Sequence, residues 1–260
     1  MFQVTVACLT LILLASGANV PDATTNDEFQ MWEGRIVGGS QAQLGQFPYQ
    51  VSLRTIQNSH FCGGFILSNR WIGSAAHCTT PRSTSNTRAV VGTIHRSTGG
   101  NIHNLARFVN HPGYQSTTLA NDISLIQTVN TITFNNMVQP VGVSSTFING
   151  GVNAVATGWG QTSRTGPTSN VLLWVTLRTL NNNECREKFT KSNAARITDQ
   201  TICTFTRVGQ GTCMGDSGGP LVAGGNVIGA VSWGIPCASG SPDVYVRIAS
   251  YRSWIMNTIG

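Results

Sequence analysis

From Ile36 onward the chain runs in short apolar stretches broken by polar punctuation. Gln50–Arg54, Arg88–Gly92, Asp122–Gln127, Asn153–Thr157, Leu172–Leu180, Asn226–Trp233 and Asp243–Arg247 are β-branched or apolar, and clusters of Gly, Asn, Ser and Pro separate them. Runs of that length and composition suit strands. Helical segments do not alternate with them, so the pattern predicts an all-β barrel or sandwich. The end of the chain differs. Ile248, Tyr251, Ile255 and Ile259 recur at helical spacing, which predicts one C-terminal helix over about 247–260 with an inward apolar face. A stretch rich in Asn, Ser and Gly, Asn135–Gly151, is a candidate break between two β halves.

The first 35 residues follow another pattern. Val4–Ala15 is uncharged and mostly apolar, but shorter than the ~20 residues a membrane span needs. Ser16-Gly17-Ala18 then offers small residues suited to a signal peptidase, although no Lys or Arg precedes the run. A buried core segment is the alternative reading; residues 1–18 are expected to be a signal peptide. No later stretch is long and apolar enough to span a bilayer, so a secreted, extracellular protein without a membrane partner is expected. Asn19–Arg35 is acidic, with Asp22, Asp27, Glu28 and Glu33 against Arg35 alone.

Secretion changes the cysteine arithmetic. Cys8 leaves with the signal, and Cys62, Cys78, Cys185, Cys203, Cys213 and Cys237 remain. Six cysteines in an oxidising compartment imply three disulfides, with fifteen possible pairings. The spacing of a zinc site is missing, and so is an Asn-x-Ser/Thr sequon.

Composition narrows the class. Charged residues are 10% of the 260, and 29 are Gly without a repeating period. A coiled coil, a collagen and an intrinsically disordered chain are excluded. The formal charge is +6. Removing residues 1–35 removes four acids and one base, leaving 15 basic and 6 acidic residues, a charge of +9. The arginines are scattered, which favours a generally basic surface over a nucleic-acid interface.

Three motifs carry chemistry. Gly215-Asp216-Ser217-Gly218-Gly219-Pro220 surrounds a serine with glycines, so that the hydroxyl is exposed and backbone N–H groups converge where an oxyanion would form. Serine needs an adjacent base, and the base an orienting partner. Ala75-Ala76-His77-Cys78 supplies a histidine. Asn121-Asp122-Ile123-Ser124 supplies a carboxylate, the only Asp or Glu between His77 and Glu184. A carboxylate entering an apolar strand is costly to bury unless paired, and a histidine N–H can pair with it.

In that order His77, Asp122 and Ser217 resemble the triad of the chymotrypsin-like serine peptidases; other serine hydrolases use other orders. The resemblance covers nearly all of 36–260 and includes Ile36-Val37-Gly38-Gly39, Cys62-Gly63-Gly64, Gly158-Trp159-Gly160 and Ser232-Trp233-Gly234. It is nearest to arthropod digestive chymotrypsins. It implies two six-stranded antiparallel β-barrels with a C-terminal α-helix, the first over about 36–140 and the second over about 141–246. It also implies the pairings Cys62–Cys78, Cys185–Cys203 and Cys213–Cys237. The activity implied is acyl transfer. Ser217 is the expected nucleophile, His77 the base, Asp122 the orienting group, and the N–H groups of Gly215 and Ser217 the oxyanion hole. No cofactor or metal is expected, and no calcium in the loop between His77 and Asp122.

The resemblance also implies a zymogen. An activating trypsin-like protease would cut after Arg35, releasing propeptide 19–35, and the new ammonium of Ile36 would pair with Asp216. His60 matches the residue that holds this aspartate in some zymogens of the family. Gly211 stands at the pocket base, where trypsin-like enzymes carry Asp. Ser232, Trp233 and Gly234 form one wall, and Asp243 lies in another. The expectation is cleavage after Phe, Tyr, Leu or Met, with a broad-specificity, collagenolytic or trypsin-like enzyme using Asp243 as the alternative. A non-catalytic binding homologue is a reading of another class. Polypeptide substrates, protein protease inhibitors and a monomeric state complete the expectations. The short leader favours a digestive enzyme over a multidomain cascade protease.

Overall fold

The structure is a computed structural model that describes residue 1 and residues 36–235 and 237–260. The signal, the acidic segment, Cys8 and Arg35 lie outside the described residues. The strands are β1 (Ser40–Gln41), β2 (Gln50–Thr55), β3 (His60–Ile66), β4 (Trp71–Ser74), β5 (Thr87–Val91), β6 (Asn101–Asn110), β7 (Ser124–Thr128), β8 (Gly142–Val143), β9 (Asn153–Gly158), β10 (Leu173–Leu180), β11 (Thr201–Thr204), β12 (Pro220–Ala223), β13 (Asn226–Gly234) and β14 (Asp243–Arg247). Four α-helices join them: α1 (Ala76–Thr79), α2 (Asn182–Glu187), α3 (Lys191–Ala194) and α4 (Ile248–Ile259).

Six strands close into a first barrel in the order β2-β3-β4-β7-β6-β5. A second ring forms because β10 pairs with both β9 and β11; it runs β9-β10-β11-β14-β13-β12 and back to β9. All pairs within both rings are antiparallel. Closure removes the open edges that a sheet would otherwise expose. Short β1 adds to the outside of β10, and β8 pairs in parallel with β13.

Each barrel has its own core, and the period-2 pattern of its strands explains why. Along β10 the side chains alternate between buried Leu173, Val175, Leu177 and Thr179 and the more exposed residues between them. Val51, Leu53, Ile72, Ala89, Val91 and Ile126 fill the first barrel. Leu173, Val175, Ile202, Leu221, Ile228 and Tyr245 fill the second. A third cluster bridges the two: Phe65, Trp71, Ile123 and Leu125 of the first barrel meet Val222, Val227 and Val246 of the second. Ile248, Tyr251 and Ile255, the stripe read from the sequence, press α4 onto that seam.

Two placements differ from the linear reading. Ile36 and Ser40–Gln41 belong to the second barrel, Ile36 in its core and Ser40 paired with Trp174. Asp122 is not in a strand. It sits in a tight turn ahead of β7, where Asn121 adopts φ 52° and the Ile123 N–H donates to the Asn121 carbonyl.

Candidate active site

His77 comes from α1, a single turn following β4, and the disulfide Cys62–Cys78 ties this turn to β3. The other two disulfides are Cys185–Cys203 and Cys213–Cys237. Cys62, His77 and Cys78 cluster closely enough to suggest a metal set, but both sulfurs are consumed in the bond between them and cannot act as thiolate ligands.

Asp122 is fully buried and points at His77. Its Oδ1 accepts the backbone N–H of His77 at 2.8 Å, and its Oδ2 accepts from the ring Nδ1 at 2.7 Å. A third donor, Ser232 Oγ, reaches Oδ2 at 2.6 Å from β13 of the other barrel. Three hydrogen bonds offset the desolvation that burial costs the carboxylate. With Nδ1–H committed to Asp122, Nε2 is the ring nitrogen free to accept a proton.

Ser217 lies in the loop between β11 and β12. Its carbonyl accepts from Gly63 N–H at 2.8 Å, which moors the loop to the first barrel. Gly218 makes this approach possible. It has φ 73°, and a Cβ there would lie 2.2 Å from Ser74 Oγ and 2.8 Å from the Gly63 carbonyl. His77 and Ser217 line one cavity of about 280 Å³ together with Thr212, Cys213, Met214, Trp233 and Asp243. The Ser217 hydroxyl and His77 form no direct hydrogen bond among the described residues, and catalytic contacts commonly tighten only when substrate is present.

Gly215 turns at φ 101°. Its N–H and that of Ser217 donate to no acceptor among the described residues, leaving both donors for a ligand. A hydrogen-bonded chain braces this turn. Arg54 Nε donates to Ser52 Oγ (2.9 Å), Ser52 Oγ meets His60 Nδ1 (2.8 Å), and His60 Nε2 meets the Gly215 carbonyl (3.0 Å). Burial lowers the His60 pKa to about 4, so the ring is neutral at pH 7, with its Nε2–H donating to Gly215. His60 therefore holds Gly215 rather than Asp216. Asp216, fully buried, accepts instead from the N–H groups of Gly160 (2.8 Å) and Cys213 (2.9 Å), and burial raises its pKa to about 6. Ile36 is fully buried, with φ 38°.

The pocket end is built from Gly211, Thr212 and Asp243. Val37 bridges to Gly211, whose N–H donates to the Val37 carbonyl at 3.1 Å. A Cβ on Gly211 would lie 2.6 Å from Asp243 Oδ2, so the carboxyl occupies space a side chain there would need. Thr212 N–H donates to Asp243 Oδ2 at 2.6 Å. Gly234 and Trp233 sit on the facing strand, in register with Asp243 and Val244. A larger cavity, about 520 Å³, lies elsewhere, behind Asp122 and Ser232 and between Thr117–Asn121 and Ser192–Arg196. It contains neither His77 nor Ser217, so its size does not make it the reaction site.

Sequence motifs pointed to Ser232 as pocket wall but not as a donor to Asp122. Thr212, Met214 and Arg196 were missed. The Arg196 guanidinium stacks 4.0 Å over Trp233 and donates from Nε to the Thr118 carbonyl; no local signal marks it.

The family model described as Trypsin matches residues 36–255. The chain belongs to the trypsin family. Chymotrypsin-2 of Vespa crabro is 42% identical over 221 residues, covering 85% of this chain and 98% of the relative. Trypsin alpha-4 of Lucilia cuprina is 36% identical over 253 residues, covering 97% and 96%. Trypsin alpha of Drosophila melanogaster is 35% identical over 255 residues, covering 97% of each chain. This trypsin-family chain is therefore a serine endopeptidase, with polypeptides as its substrates. Among the described residues of the enzyme, no helix is long and apolar enough to cross a membrane.

Proposed function

We propose that Ser217, His77 and Asp122 perform the acyl transfer of this peptidase, with Gly215 and Ser217 N–H groups receiving the oxyanion. The paired contacts of Asp122 on His77, beside Ser217 in one cavity, carry this reading. Ser217 Oγ attacks the peptide carbonyl and His77 Nε2 takes its proton. The C–N bond of the tetrahedral adduct breaks as His77 returns that proton to the leaving amine. Water, deprotonated by the same nitrogen, then attacks the acyl carbonyl, and His77 passes that proton to Ser217 Oγ as the ester C–O bond breaks. Asp122 holds the tautomer and the charge of the ring throughout. Two preorganised N–H donors stabilise the adduct, each worth about 3 kcal/mol in the transition state.

The preferred residue before the scissile bond is Phe, Tyr, Leu or Met. Val231, Trp233 and Ile235 make the sides of the cavity apolar, and Gly211 leaves at its end only the room that the Asp243 carboxyl takes. The carboxyl of Asp243 at the pocket end supports the second reading, in which Arg and Lys are also accepted. The enzyme is secreted as a zymogen, cut after Arg35, and serves digestion; the apolar run Val4–Ala15 with the small residues after it and the Arg35-Ile36 junction support this.

The test is turnover by Arg35-cleaved protein of peptide amides that differ only before the scissile bond: Phe, Leu, Arg, Ala and Glu. Highest kcat/KM for Phe and Leu supports the first reading. Arg equal to or above Phe replaces it with the second.

A further inference from the structure

We propose that Asp243 gates primary specificity by proton. With its carboxyl protonated the pocket takes apolar side chains alone, and with it ionised the pocket takes arginine and lysine as well. The inference rests on reading Ser217 as the nucleophile and its cavity as the entry for the substrate side chain.

The geometry sets this carboxyl apart. It lies at the pocket end, in the space Gly211 leaves open, and is only 6% exposed. Among the described residues its donors come from Thr212 alone, the backbone N–H on Oδ2 and the side chain. Asp122, by comparison, receives three donors. No basic side chain pairs with Asp243 among the described residues. A carboxylate so placed is costly to ionise, and an incoming ammonium or guanidinium is the partner it lacks.

The surrounding groups decide where the proton leaves. Thr204 of β11 and Gly234 of β13 stand opposite Asp243 in register and are uncharged. Tyr245, two residues along β14, keeps its proton, since burial raises its pKa far up. The 211–216 segment brings Thr212, which donates, and Asp216, the one other acid. Burial above all raises the Asp243 pKa to about 7; Thr212 opposes the rise and Asp216 adds to it. If the Ile36 ammonium pairs with Asp216 after cleavage, that added repulsion falls. The switch in the mature enzyme then lies at or below its position in the precursor.

The consequence follows from charge. A lysine or arginine entering a neutral pocket leaves water for no counter-ion, whereas a phenylalanine needs none. Only the ionised fraction serves the basic substrate, and this fraction rises about tenfold per pH unit below the midpoint.

The experiment uses the Arg35-cleaved enzyme and two peptide amides, one with Arg and one with Phe before the scissile bond. The ratio of their kcat/KM values is read from pH 5 to 9 at constant ionic strength. Titration of the acyl-transfer machinery acts on both substrates and divides out. We expect the ratio to climb by about tenfold per pH unit on the acid side, then level. In Asp243→Asn it is expected to be low and flat. Phe turnover with a flat wild-type ratio overturns the gate and leaves the peptidase reading standing. A climb that persists in Asp243→Asn also overturns it, because the proton then belongs to another group. Loss of turnover on both wild-type assays overturns the reading beneath.

Discussion

Asp122 grips His77 at two points, the backbone N–H through Oδ1 and the ring Nδ1 through Oδ2. The two contacts fix both the position of α1 and the tautomer of the ring. Asp122→Asn keeps the shape but turns an acceptor into a donor on one side. Its kcat/KM is expected to fall by about 10⁴-fold. Circular dichroism of the variant should match the wild type, so that the loss reads as chemistry.

Ser232 connects the halves of the same assembly. Its hydroxyl crosses from β13 to Asp122, 110 positions away in sequence. A hydrogen bond to a charged group contributes roughly 1.5–3 kcal/mol. Ser232→Ala should therefore lower kcat/KM by at least about tenfold and also lower the denaturation midpoint. Unchanged kinetics would show that Asp122 is held well enough by His77 alone.

Ile36 is β-branched and adopts a positive φ, a conformation costing about 1–3 kcal/mol. Cutting the bond after Arg35 removes the peptide that defines this angle and frees an ammonium. Arg35→Gln should give an intact precursor that trypsin does not activate. Full peptidase activity of that protein, with residues 19–35 still attached by mass spectrometry, would remove the zymogen from the proposed function.

The two buried acids of the second barrel also shape stability. Burial raises the pKa of Asp216 to about 6 and of Asp243 to about 7, against an ordinary value of 3.8. Between pH 4 and 7 the unfolded chain has released these protons while the fold still holds them. Stability of the uncleaved protein from these groups therefore falls as pH rises through that window. Asp243→Asn removes one such group. Urea denaturation should show the variant gaining on the wild type between pH 5 and pH 8; an equal difference at both pH values would contradict this.

The strands read most easily from sequence are those whose residues announce a buried face. β14 and most of β13 are Val-, Ile- and Tyr-rich. β3 was missed because HFCGGFI carries two glycines and a polar start. β6 was missed because it is largely exposed, with Asn and His where a buried strand would have Val. α2 had a usable signal: Asn181 and Glu184 form a reciprocal capping box. The triad residues were legible because their flanking glycines, alanines and cysteine are local. The contacts that tune them were not. Ser232 on Asp122, His60 on Gly215 and Thr212 on Asp243 join residues brought together only by barrel closure, and periodicity along one strand says nothing about the strand that will face it.

Each disulfide stays within its own half of the molecule: Cys62–Cys78 in the first barrel, Cys185–Cys203 and Cys213–Cys237 in the second. A single nick in the connector from Val129 to Val152 would thus leave the two fragments without a covalent tie, joined by apolar packing and by hydrogen bonds such as those of Gly63 to Ser217 and Ser232 to Asp122. Phe134, Met137 and Phe147 stand exposed along that connector, and they are residues of the kind this peptidase is proposed to cut after. The working lifetime of the enzyme among its own copies is then set by how well this one strip of chain resists being threaded through a neighbour's cleft.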